Sequence, residues 1–86
     1  MPELCRFFGI VIRMFHDDHV PPHFHAKYGS EHAQFYIDPP GLMKGDFPPR
    51  AMALVMEWAA LHREELTEAW EARAAGQAPG KIEPLR

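Results

Sequence analysis

Cysteine is nearly absent. Cys5 is the only one in 86 residues, so no intramolecular disulfide can staple the fold, and a reducing cytoplasm is the natural setting. Long apolar runs are missing too. None approaches the ~20 residues that a membrane-spanning helix needs. Met1-Pro2-Glu3-Leu4 has neither the basic start nor the apolar stretch of a secretion signal. Positive charge is also scarce: 9 Lys and Arg stand against 12 Asp and Glu, a formal net charge of −3. That balance argues against an overall attraction to nucleic acid or to an anionic membrane. The chain is long enough for one modest core and too short for a second domain.

Histidine is what the chain has in excess. There are 6, and all but His62 lie between positions 16 and 32. They surround a stretch, Pro21 to Ile37, that reads as an antiparallel hairpin over about 23–28 and 31–37. Gly29-Ser30 supplies a two-residue turn, with Gly at the first central position as a type II′ turn requires. The register then follows: Tyr28 faces Glu31, Lys27 faces His32, Ala26 faces Ala33, His25 faces Gln34, Phe24 faces Phe35, and His23 faces Tyr36. Side chains alternate across a strand. Phe24, Ala26, Ala33, Phe35 and Ile37 therefore make a core face, and His23, His25, Lys27, His32, Gln34 and Tyr36 a polar one.

Before the hairpin, residues 4–15 read as one long first strand, with Gly9 marking a bulge or a close backbone approach. Ile10, Ile12 and Met14 share its core side, which puts Arg13 on the side of His23 and His25. His16 to Pro22 is a loop. Asp38-Pro39-Pro40-Gly41 stops the third strand, and residues 42–47 fit either a short fourth strand or an irregular connection. The composition of residues 48–75 favours one long helix, with Asp46 as its N-cap, Pro in its first turn and Gly76 just past its end. One broad face carries Ala51, Leu54, Val55, Trp58, Leu61, His62, Leu66, Ala69 and Arg73. Ile82 and Leu85 of the tail, 79–86, are expected to dock on the core. The expected fold is α+β: a small antiparallel sheet of three or four strands, covered on one face by a single C-terminal helix, with the histidine face left open.

Arg6 to Met14, the run Pro21-Pro22-His23-Phe24-His25-Ala26, Pro48 with Arg50, Trp58 to Leu66, and Lys81 to Leu85 together resemble the bacterial domain-of-unknown-function family 4160. The resemblance covers nearly the whole chain, and the Pro-His-Phe-His signature is its specific part. It implies a prokaryotic cytoplasmic protein. Family members often sit beside a second small gene, an arrangement similar to toxin–antitoxin pairs. The family has no agreed activity.

The chemistry-bearing residues stand on the polar face. His23 and His25 are two apart on a strand, so both imidazoles leave the same side, and such a pair chelates zinc or another divalent transition metal when a third ligand joins. Asp18, in the loop just upstream with Asp17 and His19, is the candidate third ligand. The same two histidines, with Arg13 and Lys27 to hold a phosphate, could instead do the acid–base work of a metal-independent ribonuclease. A solvated polar face with no ligand is the plainer alternative. His62 beside Glu65 reads as a buried or half-buried histidine bonded to that carboxylate or to a backbone carbonyl rather than as a catalyst. Met52, Met56 and Trp70 widen the apolar arc of the helix and suggest a homodimer or a partner protein. The expected function is a binding module acting with a partner in a toxin–antitoxin-like pair, with the histidine face as its ligand site. The rival is a small enzyme, either that ribonuclease or a metal-dependent hydrolase.

Overall fold

The computed structural model describes residues 3–86. The architecture is α+β: a five-stranded antiparallel sheet followed by two helices. The strands are β1 (Glu3–Phe7), β2 (Ile10–Arg13), β3 (His23–Tyr28), β4 (Glu31–Tyr36) and β5 (Gly41–Gly45), and each pairs with its neighbours in chain order.

The expected single strand over 4–15 is a hairpin instead. Phe8 and Gly9 both have positive φ, 50° and 81°, the pair of left-handed residues that a type I′ turn demands. The chain folds back there, so β1 pairs with β2 from Phe7↔Ile10 outward. The run of apolar and β-branched residues is the same for one long strand as for two short ones. The β3–β4 register agrees with the expectation at every pair, from Tyr28↔Glu31 to His23↔Tyr36. Gly29 takes φ 60°. Beyond it, β5 pairs with β4 across an irregularity between Gln34 and Phe35. The sheet thus has five strands rather than three or four.

The expected single helix over 48–75 is two, α1 (Pro49–Leu61) and α2 (Arg63–Ala74). Pro48, not Asp46, is the N-cap of α1, and no side chain caps it. The break is at His62, whose φ of −119° leaves the helical region. The hydrogen bonds bridge it, from His62 N–H to the Trp58 carbonyl and from Leu66 N–H to the His62 carbonyl. At the far end Gly76 and Gln77 donate back to the carbonyls of Arg73 and Ala72, the Schellman closure expected from a glycine at that place.

The core lies between α1 and the face of the sheet that carries Ile10, Ile12, Phe24, Phe35 and Ile37. Trp58 is fully buried there, its ring 5.5 Å from Phe7 and 5.8 Å from Phe24. Its indole N–H donates to the Glu83 carbonyl at 2.8 Å, and Ile82 N–H donates to the Leu4 carbonyl at 3.0 Å. The tail is therefore stitched to both layers, with Ile82 buried and Leu85 packed against the core. Leu61, expected on the covered face, is exposed. The break at the next residue ends the face it would have extended.

Candidate functional site

Register places the first half of the site. His23 and His25 stand on β3, and Arg13 on β2 is the cross-strand partner of His25. All three lie on the sheet face opposite Phe24. That face is not left open at this end, contrary to the expectation. His23 and His25 are only 5% and 8% exposed. The Phe15 ring meets His25 edge-on at 4.5 Å, and the Trp70 ring lies 5.4 Å from His23. The loop after β2 and the second helix together make the cover. A straight continuous helix was the premise of the open face, and the break at His62 removes it.

The same loop delivers Asp18. Its backbone N–H bonds to the Phe15 carbonyl at 3.3 Å, and Phe15 N–H donates to Asp18 Oδ2 at 2.9 Å. One carboxylate oxygen is thereby fixed by the backbone. The other, Oδ1, lies 3.1 Å from His25 Nε2 and 3.5 Å from His23 Nε2. Arg73 of α2 clamps the loop from outside, its Nη1 donating to the His16 carbonyl at 2.9 Å and the Asp18 carbonyl at 3.0 Å. The guanidinium stacks on Trp70, 3.7 Å from the ring centre.

Proton placement follows from these partners. His23 Nδ1 is 2.8 Å from the Pro21 carbonyl. A carbonyl only accepts, so Nδ1 carries the hydrogen, and in the neutral ring Nε2 presents a lone pair to Asp18. His25 titrates below the ordinary histidine value, chiefly because burial penalises its charged form. The Asp18 carboxylate opposes that shift through a hydrogen bond and its charge, while His23 and His32 add to it. Arg13, although cross-strand from His25, has no part in the shift. The Nδ1 atom of His25 is buried with no hydrogen-bond partner among the described residues. A cavity of about 20 Å³, lined by Arg13, Phe15, Lys27 and His32 among others, borders the ring and has room for about one water.

The donors of Asp18, His23 and His25 all lie within 4.8 Å of one another. Zinc bonds of ~2.0–2.1 Å in tetrahedral array set neighbouring donors about 3.3 Å apart. The two His–Asp separations, 3.1 and 3.5 Å, bracket that spacing. His23 also has the outer support typical of a metal ligand, its second nitrogen bonded to a backbone carbonyl.

The other residues singled out by sequence fall elsewhere. Asp17 and His19 are exposed and outside the cluster. Lys27 and His32 are exposed further along the sheet face. His62 Nδ1 bonds Glu65 Oε1 at 2.6 Å, as expected, beside the Trp58 ring. Trp70, assigned to a partner surface, is 7% exposed and packs on His23, so the chain covers it itself. Met52 and Met56 are half-buried against the core. Sequence reasoning missed the clamp role of Arg73. The available signal was an arginine on the same helical face as Leu66 and Ala69, where a cation stays only with a buried partner.

Fold and site together define a small α+β protein with a carboxylate and two imidazoles converging under a helix. The family described as a domain of unknown function (DUF4160) matches residues 9–71, most of the chain, and the protein belongs to that family. No curated protein and no solved structure matches it.

Proposed function

We propose that the chain is a small binding module built around a transition-metal centre, with Asp18, His23 and His25 as the protein ligands. One observation carries this reading: two imidazole nitrogens and a carboxylate oxygen lie within 4.8 Å of one another, and both His–Asp separations are close to the spacing a tetrahedral zinc would set. When His23 and His25 are both neutral, a lone pair on His23 faces the carboxylate charge, a contact that either a proton on that nitrogen or a cation bound between the two groups relieves. A metal ion is the cation that would also engage His25 Nε2 at the same point. Three protein ligands leave a fourth position for water or a ligand, as in catalytic zinc sites.

The ribonuclease reading loses ground. Burial denies a substrate phosphate access to both histidines, and Arg13 makes no hydrogen bond to either ring among the described residues. A prokaryotic, cytoplasmic setting and a toxin–antitoxin-like protein partner remain part of the proposal on the strength of the family resemblance. No helix of the described residues is long and apolar enough to cross a membrane.

The test is metal binding by the stripped protein. Zinc should bind with one-to-one stoichiometry, and cobalt(II) should give the intense visible bands of a tetrahedral site. His25→Ala and Asp18→Asn should each weaken binding by about 10–100-fold or more. Zinc that leaves both the calorimetric trace and the melting temperature unchanged at millimolar concentration would end the proposal.

A further inference from the structure

The charge of this chain is unevenly placed. Register assigns two rows of side chains to the sheet face opposite the core. One runs Glu3–Arg13–His25–Gln34–Lys44 across all five strands, and the next runs Arg6–Val11–Lys27–His32 across four. These rows hold Arg6, Arg13, Lys27 and Lys44, four of the 9 Lys and Arg in the chain. The only carboxylate within them is Glu3, ion-paired to Arg6 at 2.6 Å. Asp18 lies at the covered end, tied to the histidines. Half of the exposed acids, Glu57, Glu64, Glu65, Glu68 and Glu71, are carried by the helices, and the other five, Asp17, Glu31, Asp38, Asp46 and Glu83, lie outside these two rows. A formal charge of −3 thus conceals a face with three cations that no carboxylate neutralises by an ion pair among the described residues.

The face also offers flat rings. Tyr36 is 39% exposed and lies in the row beside His23. His32 is exposed and stacks against His25 at 5.4 Å and 22°. Lys27 and Lys44 are exposed, and Arg13 is half-exposed. From Arg13 to Lys44 the row crosses three strand intervals, about 14 Å, enough to reach more than one phosphate of an extended strand.

We infer that this open sheet face binds single-stranded nucleic acid, the cations tracking the phosphates and Tyr36 and His32 stacking on bases. Cations spread over a flat surface with exposed rings are the usual equipment for sequence-tolerant strand binding. An acidic protein segment would use the cations but would leave the rings idle. The inference does not depend on the metal centre, and its test is run in the presence of EDTA.

The probe is a fluorescently labelled mixed-sequence 12-nucleotide RNA, titrated with the full chain and read by anisotropy. Three phosphate contacts predict a slope of about −2 for log K against log salt. The pair Lys27→Glu and Lys44→Glu should weaken binding at least ten-fold and flatten that slope toward about −0.7. Tyr36→Ala should weaken it roughly ten-fold. Arg50→Glu with Arg86→Glu changes net charge equally but outside the two rows, on α1 and on the tail, and should leave affinity within two-fold. Circular dichroism of each variant establishes that the fold is retained. Binding that is undetectable at 50 mM salt, that falls equally in the off-face pair, or that a poly-glutamate peptide competes as well as unlabelled RNA would overturn the inference.

Discussion

The two faces of the sheet are made from alternate residues of the same strands, yet they are finished by different means. The inner face is apolar except at its edge row, where Tyr28 and Glu31 are exposed, and an apolar helix laid against it suffices as cover. Phe24, Phe35 and Ile12 are fully buried there, and Trp58 locks the packing. The outer face is polar apart from Val11 and is divided. At one end a loop and α2 bury two histidines and a carboxylate. At the other end Lys27, His32 and Lys44 stay open to solvent. An apolar face is stabilised by any cover that excludes water. A polar one under cover needs hydrogen-bond partners, and those of His23 Nδ1 and His25 Nε2 come from the loop that ends at Pro22.

The comparison is broken most severely from the inner side. Trp58→Ala should cost about 3–5 kcal/mol, the range for emptying a buried aromatic site, because it also removes the donor that holds the tail at Glu83. Urea denaturation would show the midpoint fall. On the outer side, Arg73→Gln should cost less, about 1–3 kcal/mol, through two carbonyls left without their donor. It should also weaken zinc binding several-fold, since the Asp18 loop loses its clamp. Calorimetry on the folded variant separates that effect from stability.

Acid should act on the outer face alone. His25 has a lowered value in the folded state, so below about pH 6.5 the unfolded chain takes up a proton that the folded one resists. Its contribution to stability is present above that pH and is lost as pH falls toward and through the lowered folded value. Denaturation midpoints measured from pH 7.5 to 5 should decline in the wild type and decline less in His25→Asn. The smallest expected effect is a gain. Phe8 is exposed and holds φ 50°, a conformation that costs most side chains about 1–2 kcal/mol and that asparagine tolerates well. Phe8→Asn should raise stability by about 0.5 kcal/mol, read as a small upward shift in melting temperature.

Much of this was legible in the residues because it is local. The Gly29-Ser30 turn and the alternation on either side of it were enough for the β3–β4 register, and with it the shared face of His23, His25 and Arg13. Gly76 marked the end of the helical region, and Glu65, three residues after His62, was one of the two partners its sequence position allowed, the one the structure shows. The errors have one physical source. Phe7-Phe8-Gly9-Ile10 carries strand-forming residues whether the backbone passes through or turns, and only the two positive φ values distinguish the cases. Ala51, Val55, Trp58, Leu66, Ala69 and Trp70 keep a helical spacing straight across His62, so one residue leaving the helical region disturbs no pattern.

The sequence by itself therefore determined the α+β class, the two faces of the central hairpin with its register, and the three residues of the candidate metal centre, because propensity, alternation and turn chemistry act over a few neighbours; the count of strands and helices it did not determine. Tertiary structure decided the rest. The break at His62 sends Trp70 onto His23 and Arg73 onto the loop, which converts an open histidine face into a buried cluster. Sheet order gathers Arg13, Lys27 and Lys44 onto one surface, where the net charge of the chain no longer describes what a ligand would meet. Burial and electrostatic field depend on which distant segments come together in space, and a chain read in one dimension does not contain those distances.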